Sequence, residues 1–299
     1  MSARGTVITV FRGGCEVVCD DALRELHLTG AHARQELALA VGDDVRFDPE
    51  TGRLIEIEPR RTRLERMRPR DRQGSRQSRP QIIAANMDQV AIVTALVEPP
   101  FVSGVVDRFL LAAAAGGLHA LLIANKLDLL EGEPLPSELT SYSIVVPVVA
   151  VSARTGEGLD RLREQLADSR TVLAGHSGVG KSSLINALDP ALRLETGELR
   201  ERDKKGRHTT SRATWYRLGP ESVVVDTPGI RELATGPVDA RLLDLVYPDV
   251  AEHAAGCQYR DCRHTREPDC AVRGAVERGD LASQRLASYC KLLREVQSG

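Results

Sequence analysis

Aromatic residues are scarce in this chain. Phe, Trp and Tyr together make up 3% of its 299 residues, too few for a broad platform on which the bases of a single strand would stack. Long apolar runs are missing as well. No stretch suffices to span a membrane, and Arg4 is followed by an alternating strand pattern rather than the apolar run of a secretory signal. Nor is there a large excess of one charge. The formal net charge is −2, so any contact with nucleic acid has to come from local patches. The expected compartment is the cytoplasm, with no membrane partner. There, clustered cysteines serve as metal ligands more often than as disulfides.

What is present is an ordinary soluble composition, 42% apolar and 27% charged, in a chain long enough for two or three domains. Over residues 5–58 the pattern alternates in short strands, "GTVITVF", "CEVVC", "LALAVGDDVRF" and "RLIEIEP", separated by turn residues. This predicts a small antiparallel barrel of the OB-fold type over residues 1–62, another small β-domain being the alternative. A basic stretch, "RRTRLERMRPRDRQGSRQSRP", follows. It is assigned as an Arg-rich linker over 63–85, either a solvated tether or an arm that touches phosphate. Residues 86–236 alternate strands and helices, which predicts an α/β unit with a mostly parallel sheet. Residues 237–299 read as helical and polar around a cysteine cluster.

Four motifs sit at predicted strand ends of the α/β unit. "GHSGVGKS" fits the P-loop pattern G-x-x-x-x-G-K-[ST], between an apolar strand and a helix. The backbone of Gly175, His176, Ser177, Gly178, Val179 and Gly180 is expected to surround phosphate. Lys181 would reach the β- and γ-phosphates, Ser182 would ligate Mg²⁺, and Ser183 would lie near the α-phosphate. "DTPG" follows the strand "SVVV": Asp226 suits an Mg²⁺-holding role, and the Gly229 N–H is placed to sense the γ-phosphate. "NKLD" supplies Asn125, Lys126, Leu127 and Asp128. The Asp128 carboxylate can accept from guanine N1–H and the 2-amino group, a donor pair that adenine lacks. "SAR" supplies Ser152 and Ala153, whose N–H is a candidate partner for guanine O6. Thr209 or Thr210 is a candidate further Mg²⁺ ligand, with Thr210 preferred. His208 is a candidate to orient the attacking water, or else a surface or hinge residue. Ile230 stands after DTPG, where many GTPases carry a water-orienting Gln.

The order of these motifs is unusual. Base reading precedes phosphate binding, as if a GTPase chain had been cut before "VAIVTAL" and its old ends joined. Toward the C-terminus, Cys257, Cys262, His264 and Cys270 have the spacing C-x4-C-x-H-x5-C. Three thiolates and one imidazole form a closed set for one structural Zn²⁺. Cys15, Cys19, Cys290 and His253 read as ordinary residues.

Taken together, "RTRLER", "QIIAANMDQV", "NKLDLL", "GHSGVGKSSLINAL", "GRHTTS", "DTPGIRE" and "CQYRDCRHTREPDCAVRGAV", in that order, make the chain resemble the small-ribosomal-subunit-dependent GTPase A family, RsgA. The resemblance covers nearly the whole chain. It implies an OB-fold barrel, a circularly permuted GTPase domain and a C-terminal zinc domain. It further implies a late assembly factor that binds the small ribosomal subunit and its rRNA, hydrolyses GTP to GDP with Mg²⁺ and then leaves. A monomer is expected. The family's nucleotide residues carry over to Asn125–Asp128 and Gly175–Ser183, its zinc ligands to the cluster above, and its hydrolysis-linked His to His208. His176 stands where Gln is common, and Ser211 where a third Thr is common. The rivals are a permuted GTPase acting on the large subunit and a non-hydrolysing RNA-binding switch.

Overall fold

Alternation along the first strands closes a barrel. In a computed structural model, which describes residues 2–11, 13–28, 39–67, 80–192, 214–226 and 239–298, five strands come first. They are β1 (Ala3–Phe11), β2 (Gly14–Cys19), β3 (Ala22–His27), β4 (Asp44–Asp48) and β5 (Arg53–Ile57). Their order, β1-β2-β3-β5-β4 with β1 closing on β4, is that of an OB-fold. Every second side chain points inward: Val7, Cys15, Val17, Leu26, Val45, Phe47 and Leu54 form the barrel core. Asp20 and Asp21, both at positive φ, make the two-residue turn between β2 and β3.

The expected linker over 63–85 needs correcting at both ends. β6 (Arg63–Met67) and β7 (Pro80–Ala85) pair antiparallel. The density of arginines hides a period-two pattern in which Thr62 and Leu64 turn inward while Arg63 faces solvent. This hairpin and the Asn86 turn after it join barrel to sheet. The buried Asn86 side chain accepts from the Arg61 N–H (2.8 Å) and donates to the Gly42 carbonyl (3.0 Å). The Thr62 hydroxyl donates to the Met87 carbonyl at 2.5 Å. Arg60 holds both oxygens of the fully buried Asp43, at 2.6 and 2.8 Å.

The second sheet has the order β10-β9-β8-β11-β13-β12. Its strands are β8 (Gln89–Ala95), β9 (His119–Asn125), β10 (Val148–Ala150), β11 (Arg170–Ala174), β12 (Thr214–Arg217) and β13 (Val223–Asp226). All run parallel except β12, which pairs antiparallel to β13. The chain thus enters at the centre of the sheet, steps outward to β10, and returns to the other side of β8. Both faces are covered, so its strands are apolar on both sides. Val90, Ile92, Leu122, Val172 and Val225 face one core, with Val106, Phe109 and Leu110 of the helix Ser103–Gly116. Ala91, Val93, Leu121, Leu173 and Val224 face the other, with Leu162 and Leu166 of helix Leu159–Leu166 and Leu184 and Ile185 of helix Lys181–Leu188.

Four helices, Leu243–Val246, Pro248–Ala254, Ala271–Arg278 and Ser283–Ser298, follow. Val246, Tyr247, Val250, Leu292 and Val296 join the same core as helix Ser103–Gly116. A polar network meets at this contact, where Arg285 lies 5.5 Å over the Tyr142 ring. Asp107, at 2% exposure, accepts from the Tyr142 hydroxyl at 2.7 Å. Arg285 donates two bonds to Asp249, at 2.9 and 2.8 Å, and lies 4.5 Å over the Tyr247 ring. Among the described residues, no helix is long and apolar enough to cross a membrane.

Arg60→Ala leaves the buried Asp43 carboxylate without its counter-charge. Removing one partner of a buried pair costs about 3–5 kcal/mol. Chemical denaturation of the variant is expected to show a loss of roughly that size, and a loss below about 1 kcal/mol would contradict the buried pairing.

Candidate functional site

Parallel strands bring their carboxyl ends to one edge of the sheet, and ligands bind there, where the strand order reverses. In this sheet the reversal lies between β8 and β11. Asn125 ends β9, Ser152 follows β10, Gly175 follows β11 and Asp226 ends β13. The registers Ala95–Asn125 and Leu173–Asp226 set these ends level.

Asn125, at 1% exposure, ties three of the expected motifs together. Its Nδ2 donates to the Val179 carbonyl in the P-loop at 2.8 Å. Its Oδ1 accepts from the Ala153 N–H at 3.2 Å. The N–H expected to meet guanine O6 is therefore engaged by Asn125 in this structure. Two glycines make the approach possible. Gly175 has φ +141° and a Cβ there would lie 2.2 Å from the Val93 carbonyl oxygen; Gly180 has φ +95° and a Cβ would lie 2.3 Å from Asn125 Nδ2. Neither position tolerates a side chain.

Within the P-loop, Val179 is buried against the sheet while Ser177 and Gly178 are exposed and His176 is half-buried. Lys181 opens the helix Lys181–Leu188, and its Nζ folds back to donate to the Gly175 (2.8 Å) and His176 (3.1 Å) carbonyls. Ser182 and Ser183 occupy the first turn, where the N-terminal N–H groups and the helix dipole favour an anion. The glycine backbone, the lysine over the loop and the helix start fit a polyphosphate.

Lys126 adopts φ +66°, and its ammonium donates to the Glu98 carbonyl. The Leu127 N–H donates to the Val151 carbonyl at 3.0 Å. Asp128 follows in a short 3-10 turn, Leu127–Leu130. Its Oδ1 accepts from the Ser152 hydroxyl at 2.5 Å and its Oδ2 from Arg154 Nε at 2.8 Å. The Ser152 bond, aided by the Arg154 charge and opposed by partial burial, holds the carboxyl below the usual aspartate range. Asp128 is thus an ionised acceptor near neutral pH. Sequence reasoning had not singled out Arg154; its place two residues after Ser152 was the available signal. His208, Thr209, Thr210, Ser211, Gly229 and Ile230 lie outside the described residues.

Cys257, Cys262, His264 and Cys270 converge as their spacing suggested, with ligand atoms all within 4.8 Å of one another. His264 Nδ1 lies 3.6 Å from Cys257 Sγ and 3.4 Å from Cys270 Sγ, and the two sulfurs are 3.9 Å apart. Tetrahedral bonds of metal–sulfur and metal–nitrogen length require roughly 3.8 Å between sulfurs and roughly 3.5 Å between sulfur and nitrogen. The donor set therefore fits a tetrahedral metal ion. Burial works against charge on Cys257, but N–H groups of Val272 and Ala271, at the start of the next helix, outweigh it and lower its thiol below the usual range. His253 is not in the group. Cys15 packs in the barrel, and Cys290 contacts the Arg263 carbonyl at 3.7 Å.

Across the sheet the S-A-R turn (after β10), base loop (β9), phosphate loop (β11) and DTPG strand (β13) lie in that order, and a circular reading of the chain from β11 gives the ordinary succession of phosphate loop, DTPG strand, base loop and S-A-R turn. Fold and site together define a circularly permuted P-loop GTPase. The chain belongs to the RsgA GTPase family, whose model matches residues 57–236. A Gemmatimonas aurantiaca protein, "Small ribosomal subunit biogenesis GTPase RsgA", is 40% identical over 270 residues, 88% of this chain and 86% of the relative. A Chromohalobacter salexigens protein of the same name is 39% identical over 292 residues, 95% of this chain and 84% of the relative. The crystal structure of YjeQ from Thermotoga maritima superposes with a TM-score of 0.74 at 28% identity, covering 100% of both chains. That of YloQ, a circularly permuted GTPase, gives 0.68 at 26% identity, covering 100% of this chain and 96% of the other.

Asn125→Ala removes both bonds that tie the P-loop and the S-A-R turn to β9, and leaves buried backbone groups without them. Each such group costs about 1–3 kcal/mol. The variant is expected to lose stability on that scale even without nucleotide, as measured by denaturant unfolding, and to bind guanine nucleotides weakly.

Proposed function

We propose that this protein hydrolyses GTP when it is bound to the small ribosomal subunit and acts as a late maturation factor of that subunit, as a monomer in the cytoplasm. The observation that carries the reading is the convergence of a guanine-type carboxylate, Asp128, and a P-loop at one sheet edge: Asn125 ties the P-loop to the S-A-R turn, and Ser152 of that turn holds Asp128. Flanking units of barrel and metal-cluster type support the choice of the small subunit, because the family relatives bear that name.

In this reading Asp128 selects guanine, and Asn125 and Lys126 hold and cover the base. P-loop N–H groups and Lys181 stabilise charge on the phosphates as the terminal one leaves. Ser182, Thr210 and Asp226 would hold Mg²⁺, which when bound neutralises charge on the β- and γ-phosphate oxygens. Gly229 would report the γ-phosphate. His208 would orient the attacking water. Ile230 cannot polarise water, so turnover by the free protein would be slow, and the ribosome would complete the hydrolytic site around His208. The barrel and the zinc domain would contact rRNA, and binding would weaken steeply with salt if the Arg-rich segment also engages phosphate. Zn²⁺ on Cys257, Cys262, His264 and Cys270 would lock the C-terminal domain.

GTP turnover is expected to rise strongly with isolated small subunits and to stay at the basal rate with large ones. Stimulation by large subunits alone would redirect the assignment, and turnover unmoved by either would leave a GTP-binding switch. Under stimulation, His208→Ala is expected to lower kcat by at least about 10²-fold with KM little changed.

Metal analysis is expected to find about one zinc per chain, in keeping with a closed four-ligand site. Removal by a strong chelator, or Cys270→Ser, is expected to lower the thermal midpoint and the helix signal. A metal-free protein of unchanged midpoint would remove zinc from the fold.

A further inference from the structure

The Asp128 carboxylate is covered on two unequal sides. Ser152, fully buried, donates to Oδ1 at 2.5 Å, and its own oxygen also accepts from the Thr155 N–H at 3.1 Å. That side is fixed. On the other side Arg154 Nε donates to Oδ2 at 2.8 Å. The Arg154 side chain is 75% exposed, whereas that of Asp128 is only 9% exposed. The guanidinium therefore stands on the solvent side of a carboxylate that is otherwise enclosed.

The chemistry of the two possible partners is the same. The edge of guanine that meets a carboxylate is N1–H, C2 and the 2-amino group, a planar N–C–N unit with parallel donors. An arginine side chain presents the same unit in its guanidinium. We propose that Arg154 is an internal stand-in for the guanine edge, holding Asp128 until a guanine nucleotide displaces it. The inference rests on the reading of Asp128 as the base-recognising residue and deepens it. Ser152 keeps its bond throughout, because a carboxylate oxygen carries two lone pairs and can accept from both the hydroxyl and the base.

Two consequences follow from the geometry. The carboxylate is kept ionised and aimed before the base arrives, so little reorganisation accompanies binding. Each binding event also has to break an ion pair. Exposed pairs are weak and screened by salt, so the competition is worth roughly two- to fivefold in affinity.

The test is stopped-flow binding of fluorescent GDP to the full-length protein, wild type against Arg154→Ala and Arg154→Gln, at low and high salt. At low salt both variants are expected to bind about two to five times more tightly than wild type, mainly through faster association, and the gap should close as salt rises. Equal thermal midpoints check that the exposed substitution leaves the fold alone. Affinity that is unchanged or weaker in both variants overturns the proposal, because Arg154 would then support Asp128 or grip the nucleotide. Failure of the wild type to bind GDP at all would instead overturn the guanine-site reading itself, a result distinct from either.

Discussion

One buried amide holds the nucleotide edge of the sheet together. Asn125 reaches from the end of β9 across the end of β8 to the P-loop backbone, and with its other atom it accepts from the turn after β10. The three loops it joins come from separate parts of the chain, and beside the apolar contacts of Val179 and Ala153 the amide supplies the polar tie between them. The missing side chain at Gly180 belongs to the same constraint, because any Cβ there would collide with the amide. Removing either half opens the P-loop, since buried backbone groups without partners are costly. This explains how a permuted chain keeps its site. The contacts depend on where the strands lie in the sheet, and the order in which the chain visits them does not enter.

What permutation does change is the neighbour of each loop. The chain after DTPG leads toward the helix Leu243–Val246, which shares a core with helix Ser103–Gly116 next to the nucleotide site. That contact is a polar one as well as an apolar one. Arg285, at 5% exposure, binds Asp249 with two hydrogen bonds and covers Tyr247, while Tyr142 donates to the buried Asp107. Burial raises the Asp107 carboxyl above its usual range, and the Tyr142 hydroxyl counters this. Arg108 of helix Ser103–Gly116 also donates to both oxygens of Glu295 in helix Ser283–Ser298, at 2.9 and 2.7 Å, so a slide between these two helices would break an ion pair.

Much of this was legible in the sequence because the chemistry is local. The P-loop, NKLD, SAR, DTPG and the Cys/His spacing are each contiguous, and each declares its strand end. The barrel was legible from alternation. The hairpin β6–β7 was hidden because arginines on its solvent face dominate the composition, although Leu64 and Ala84 point inward. The joints were not legible at all. Thr62, Asn86, Asp43, Asp107 and Arg285 are common residue types whose partners lie in other segments, and no periodicity marks a polar residue as buried. The same holds for Arg154, whose role appears only when Asp128 is seen beside it.

The metal cluster follows the same rule as the nucleotide edge. The segment between Cys257 and Cys270 has little apolar content of its own, and apart from its cysteines at the edge of the main core it relies on polar bonds for its shape. The Glu267 carboxylate gathers backbone N–H groups from Arg263 (3.0 Å), Thr265 (2.9 Å) and Arg266 (3.0 Å). Backbone bonds within its own turn, led by its own N–H, bring the Glu267 carboxyl down to about 2. The turn so formed spans the gap between His264 and Cys270 and brings their ligand atoms to 3.4 Å. His264 itself takes a left-handed backbone, φ +58°, and rests 5.7 Å from the Tyr289 ring. A metal ion held here would lock this turn against the helices. In both places a charged or amide side chain bonded to backbone does the shaping that apolar packing does elsewhere, because loops that must stay open to a ligand cannot be filled by a core.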